Sequence, residues 1–251
     1  MKFNKRQFEK DELFQLFFKI LIEPDILFYD KLPSYASHFY PSYGDWETDR
    51  LRYSLLDYSK HCSLDLTFNA LAYMQDSKNQ ELANERINSI IDIAPNIYNT
   101  FNIKEIGYRK KTVIFFREID KQKLIKEFFM KFYHPNKILH TYETVNIKDF
   151  SYIVDFTRDG LNINTVIGPV QGRETLRFVE PNYRHHFRLD EIEKYQLEYI
   201  KNLPEIGLLV DINTFQTFEN SNKTNISEVY SNLKNESEEL FKNIHNMIFE
   251  V

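Results

Sequence analysis

Residues 64–74 read LDLTFNALAYM, and residues 80–101 shortly after them read QELANERINSIIDIAPNIYNTF; the change of period between the two decides the fold class. In the first stretch Leu64, Leu66, Phe68, Ala70, Ala72 and Met74 share one face and Asp65, Thr67 and Asn69 the other, the period of two that marks a half-buried strand. In the second, Ala83, Ile87, Ile90, Ile91, Ala94, Ile97 and Tyr98 recur at steps of three and four, which predicts a helix kinked or interrupted at Pro95. A strand, IKEIGYRKKTVIFF from 103 to about 116, and a helix over 121–133 ending before Pro135 complete a β-α-β-α run.

Further on the pattern changes. Strand-like segments at 138–147, 150–157, 163–169 and 174–188 are separated only by turn signals such as Arg158-Asp159-Gly160 and Gly168-Pro169, which predicts an antiparallel meander. A helix over 190–201 follows, then the strand EIGLLVDINTFQTF, then a long helix capped by Asn225 with Glu228 at its third position. The expectation is therefore an α+β protein with a mainly antiparallel sheet packed by helices: β-α-β-α, a β-meander, and a long C-terminal helix. With no repeat, low-complexity tract or Gly/Ser linker, residues 1–251 read as one compact chain, divisible at most into lobes 1–137 and 138–251.

The N-terminal stretch, MKFNKRQFEKDELFQLFFKILIEPD, starts basic and continues apolar, but Glu9, Asp11, Glu12, Lys19 and Glu23 interrupt it. It reads as an amphipathic helix or a strand pair, not as a signal peptide or a membrane span. One cysteine, Cys62, excludes an internal disulfide framework and a multi-cysteine zinc site, and a reducing cytoplasm is the compartment it fits. His61 beside it supplies no base, because neighbours on a strand point to opposite faces.

Six glycines, at 44, 107, 160, 168, 172 and 207, leave no cluster that could cradle a phosphate, so neither a P-loop nor a dinucleotide fingerprint exists and no cofactor is expected. GxSxG, HExxH, CxxC and EF-hand patterns are also missing, and no metal site is expected. The abundance of aromatic side chains, 22 Phe and 16 Tyr, suits a packed core with some rings left for interaction. Charge is unevenly placed: residues 104–137 hold ten Lys/Arg against four Asp/Glu, and residues 190–251 five Lys against twelve Asp/Glu. Such polarity suits a charged partner, contact between copies, or two solvated faces.

Two places carry candidate chemistry. In YRHHFR, 183–188, strand alternation separates the histidines, and Arg184, His186 and Arg188 form a face able to grip a carboxylate or phosphate, or simply a solvated strand face. Asp211 stands in the apolar strand LLVDINTF, where a carboxylate needs a partner. Pairing with Arg109 is the first reading and a ligand-contacting carboxylate the second.

Both IGYRKKTVIF (106–115) and LLVDINTF (208–215), the latter followed by a helix ending Phe249-Glu250, carry a resemblance over roughly residues 60–251. The chain resembles a sporadically distributed prokaryotic family of uncharacterised proteins about this long, with a Gly-Leu-Arg-Tyr strand, an Asp-Ile-Asp strand and a closing helix. Gly107, Arg109, Asp211 and the Phe249-Glu250 ending match by identity; Asn213 stands where that family usually has a second aspartate, and Lys110 and Lys111 depart from its aromatic-aliphatic pattern. The resemblance implies no activity, only an occurrence like that of accessory, defence or mobile-element genes. Together these readings favour a non-enzymatic cytoplasmic interaction or sensor protein with a protein partner, a second copy of itself, or both. A phosphate-bearing substrate, a nucleotide or nucleic acid, ranks below, and no membrane partner is expected.

Overall fold

The central strand of the fold is the N-terminal stretch. β1 (Phe8–Ile22) is a single strand, neither a helix nor a strand pair, and its even residues Leu16, Phe18, Ile20 and Ile22 are buried in a row. That alternation outweighs the scattered charges because β1 lies between two antiparallel neighbours, one on each edge. The computed structural model describes residues 8–48, 52–57, 59–60, 62–75, 80–98, 101–117, 119–132, 151–171, 206–219 and 224–249.

After β1 come α1 (Phe28–Phe39), a 3-10 turn (Tyr40–Ser42), and four short strands: β2 (Asp45–Thr48), β3 (Arg52–Asp57), β4 (Cys62–Thr67) and β5 (Ala70–Gln75). The stretch 64–74 is thus a hairpin and not one strand. A two-residue turn at Phe68-Asn69 reverses the chain and flips the parity, so that Leu64 faces Tyr73 and Leu66 faces Leu71 across β4 and β5. Those four side chains are fully buried, whereas Ala70 and Ala72 lie on the other face. Next follow α2 (Gln80–Ile97), with Pro95 inside its last turn, β6 (Ile103–Phe116) and α3 (Lys121–Phe132).

β7 (Tyr152–Arg158) and β8 (Leu161–Gln171) form a tight hairpin whose turn residues Asp159 and Gly160 have φ of 50° and 80°, as a two-residue turn matching strand twist requires. Then come β9 (Ile206–Thr217) and α4 (Ile226–Phe249). The strands expected at 138–147 and 174–188 and the helix expected at 190–201 lie outside the described residues.

All nine described strands join one antiparallel sheet in the order β2-β3-β4-β5-β1-β6-β9-β8-β7. β9, although late in the chain, lies between β6 and β8, pairing Glu105 with Thr217 through Phe115 with Gly207. The sheet therefore runs unbroken across the 137/138 division. α1 to α4 pack on one face. Against α1, α2 and the start of α4 lie Phe18, Ile20, Leu64, Leu66, Leu71 and Tyr73; against α3 and the end of α4 lie Ile114, Phe116, Leu208, Val210 and Ile212. Phe18 and Tyr108 both meet Tyr230 of α4 edge-on, at 5.3 Å and 5.9 Å between centroids.

The long helix starts as its capping residues predict: Glu228 N–H donates to Asn225 Oδ1 at 3.3 Å, and Asn225 Nδ2 donates to Glu228 Oε2 at 3.4 Å. Asn225→Ala is expected to lower stability by about 1 kcal/mol, read as a shift of the urea midpoint at unchanged slope.

Candidate functional site

In β6 the even residues from Ile106 to Phe116 face the helices, so Glu105, Gly107, Arg109 and Lys111 project from the second face of the sheet. Register brings Lys111 opposite Asp211 and Arg109 opposite Asn213 on β9, and Asn213 opposite Asn164 on β8. Arg109 reaches diagonally to Asp211: Nε donates to Oδ1 at 2.9 Å and Nη2 to Oδ2 at 2.7 Å, a two-pronged pairing of planar groups. The structure thus brings together the two residues singled out in the sequence, 102 positions apart.

The pair belongs to a longer polar row. On one side Lys111 Nζ donates to Gln15 Oε1 at 2.9 Å, with both side chains buried. On the other, Asn213 Nδ2 donates to Asn164 Oδ1 at 3.3 Å and Asn164 Nδ2 to Asp155 Oδ1 at 2.9 Å. Lys19 crosses Gly107 with its stem and meets Glu105 at 2.6 Å. Gly107, Arg109 and Asp211 are therefore neighbours on one face. Chemically the row favours fixing strand register and charge placement. Both Asp211 oxygens are occupied by the guanidinium, so proton transfer at this carboxylate would first have to break a charged, two-bond contact.

The basic and acidic runs of the sequence meet inside the fold. Lys110 Nζ, buried on the helix face, donates to both carboxylate oxygens of Glu238 at 2.7 and 2.9 Å and lies 5.4 Å from the Phe241 ring centroid. Arg158, on the β7–β8 hairpin, reaches Glu236 at 3.1 Å and Glu239 at 3.5 Å on α4. Nearby acids hold the Arg158 pKa above its usual value, Glu236 first. Part of the charge polarity is thereby satisfied within the chain.

Cys62 sits beneath α2 in a buried polar cluster. Arg86 Nη2 donates to Asp57 Oδ2 at 3.2 Å and its guanidinium lies 4.5 Å from the Tyr43 ring centroid, while Tyr73 OH donates to Gln75 Oε1 at 2.6 Å. Burial pushes the Cys62 thiol up to about 11, against a smaller opposing effect of Arg86, so the sulfur stays protonated and unreactive at neutral pH.

An aromatic cluster was not singled out by the sequence. Trp46, the only tryptophan, stands half-exposed on β2 and stacks on Tyr53 of β3, with centroids 5.6 Å apart and planes 13° apart. Tyr53 is held above its usual pKa by burial and then by Tyr40, whose exposed ring follows α1. Three rings thus share one corner of the sheet. The available signal was a lone Trp between two acids in a stretch too short to bury it.

Arg184, His186 and Arg188 lie outside the described residues. Among the described residues no group of three or more His, Cys, Asp or Glu side chains is placed to hold a metal ion, and no helix is long and apolar enough to cross a membrane. No family model, curated protein or solved structure matches the chain.

Proposed function

We propose that the chain is a non-enzymatic, cytoplasmic protein-interaction or sensor component whose Trp46–Tyr53–Tyr40 corner docks a protein partner. The observation that carries this reading is the exposure of Trp46, 49%, and Tyr40, 42%, beside a ring already stacked in place. Trp and Tyr bury large area with few rotatable bonds, which is why they dominate binding hot spots, and a pre-stacked pair loses little further freedom on docking. The engagement of Asp211 by Arg109 supports the non-enzymatic half, since it removes the most tempting acid from acid–base work.

The test is a partner recovered from the native host with the wild-type chain, then titrated against purified Trp46→Ala and Tyr40→Ala. Loss of about 2 kcal/mol, roughly thirtyfold in Kd, is expected for Trp46→Ala. The only tryptophan also reports directly, its emission shifting to shorter wavelength when the partner covers it. Unchanged affinity with unshifted emission sinks the proposal.

A further inference from the structure

The two end strands of the sheet formed by the described residues are built differently. β2 is four residues long, with Asp45 and Glu47 on the same side; a two-fold antiparallel pairing centred on residue 45, 46 or 47 sets carboxylate against carboxylate. Such a short, acidic edge resists strand pairing. β7 has seven residues, YIVDFTR, with no Lys or Pro and one acid inside it. Ile153 is 63% exposed and Phe156 37%, and no described strand pairs with the outer side of β7. Its one cationic group, Arg158, is turned toward Glu236 and Glu239 of α4 and does not guard the edge.

We propose that β7 pairs antiparallel with β7 of a second copy, about a two-fold axis through Val154, joining the two sheets into one. The hairpin geometry sets which groups are available. Arg158 and Leu161 flank the two-residue turn as a hydrogen-bonded pair, so the peptide groups of residues 152, 154, 156 and 158 point toward β8 and those of 153, 155 and 157 point outward. An axis through Val154 then hydrogen-bonds 153 with 155 of the second copy and leaves 154 facing its own counterpart as a non-hydrogen-bonded pair.

Side chains select this register. It sets Tyr152 against Phe156 twice and Val154 against Val154 on the helix face, and Ile153 beside Asp155 on the other, with no like charges directly opposed. An axis through Asp155 would oppose two carboxylates, and one through Phe156 would set Val154 against Arg158. The contact lies at the far edge from Trp46, so it stands independently of the partner site there.

Cysteine cross-linking of the full chain tests it. A non-hydrogen-bonded antiparallel pair places Cβ atoms about 4.5–5.5 Å apart, within disulfide reach, so Val154→Cys should form a covalent dimer on mild oxidation. Thr157→Cys, which faces residue 151 of the second copy in this register, should not. Cys62, buried and protonated, does not compete. In sedimentation equilibrium the wild type should be dimeric at micromolar concentration, and Val154→Lys, setting two ammonium groups together, should weaken the dimer by roughly thirtyfold with an unchanged circular dichroism spectrum. A monomeric wild type overturns the proposal, as does cross-linking of Thr157→Cys as readily as Val154→Cys.

Discussion

Arg109→Ala is expected to lower the unfolding free energy by about 3 kcal/mol, and Asp211→Asn by only about 1 kcal/mol, although the two substitutions break the same contact. The asymmetry comes from where each group sits. The Asp211 side chain is 10% exposed and that of Arg109 38%. Without the guanidinium, the carboxylate keeps little access to water and loses the cation bonded to both its oxygens, while Lys111 opposite it is engaged by Gln15, the costly way to break an ion pair. Without the carboxylate charge, the guanidinium turns its exposed end to solvent and recovers most of its hydration. The double variant Arg109→Ala/Asp211→Asn should therefore be more stable than Arg109→Ala alone, a non-additivity that a contact removed from either side with equal effect would not give. Urea unfolding of the four proteins at constant slope checks this; equal losses for the two single variants refute it.

How far the site could be read in the sequence follows from the same physics. A carboxylate inside an apolar strand requires a partner, and an arginine such as Arg109 on another predicted strand is one that can supply it. Its extension into a row could not be read, because the row depends on β9 entering between β6 and β8 and so placing Asn213 beside Asn164. Strand order is set by non-local pairing, on which local periodicity is silent. The helices α2, α3 and α4 were legible from the period of their apolar stripes, and β6 and β9 from short apolar runs, TVIFF and GLLV, too short for a helix of their own. The hairpin at 64–74 was not: apolar residues persist through its turn, and Phe68-Asn69 lacks the Asn-Gly or Asp-Gly signal that Asp159-Gly160 supplies. Two alanines completed a false alternation, and the buried Leu71 and Tyr73 on the opposite parity carried the true one.

Gly207→Ala should be as damaging as the loss of Arg109, about 3 kcal/mol, although it adds a single methyl group to a strand. Gly207 begins the stretch of β9 clamped between Phe115 of β6 and Val170 of β8. A Cβ there would lie 2.4 Å from Val113 Cγ1, 2.9 Å from the Ile114 carbonyl oxygen and 3.2 Å from Phe115 Cδ1. None of these neighbours yields readily. Val113 is β-branched and held to a narrow range of χ1, the carbonyl is fixed in the ladder, and Phe115 is fully buried with Val113, Val170 and Leu209 in a small cluster on the second face. Relief has to come from separating β6 and β9, which weakens the strand pairing that also aligns Arg109 with Asp211. Val113→Ala removes the closest of the three clashes and leaves the backbone one, so the double variant Gly207→Ala/Val113→Ala should recover part of the lost stability. No loss in the single Gly207→Ala variant, or no recovery in the double, would show that β6 and β9 do not approach as closely as this packing requires.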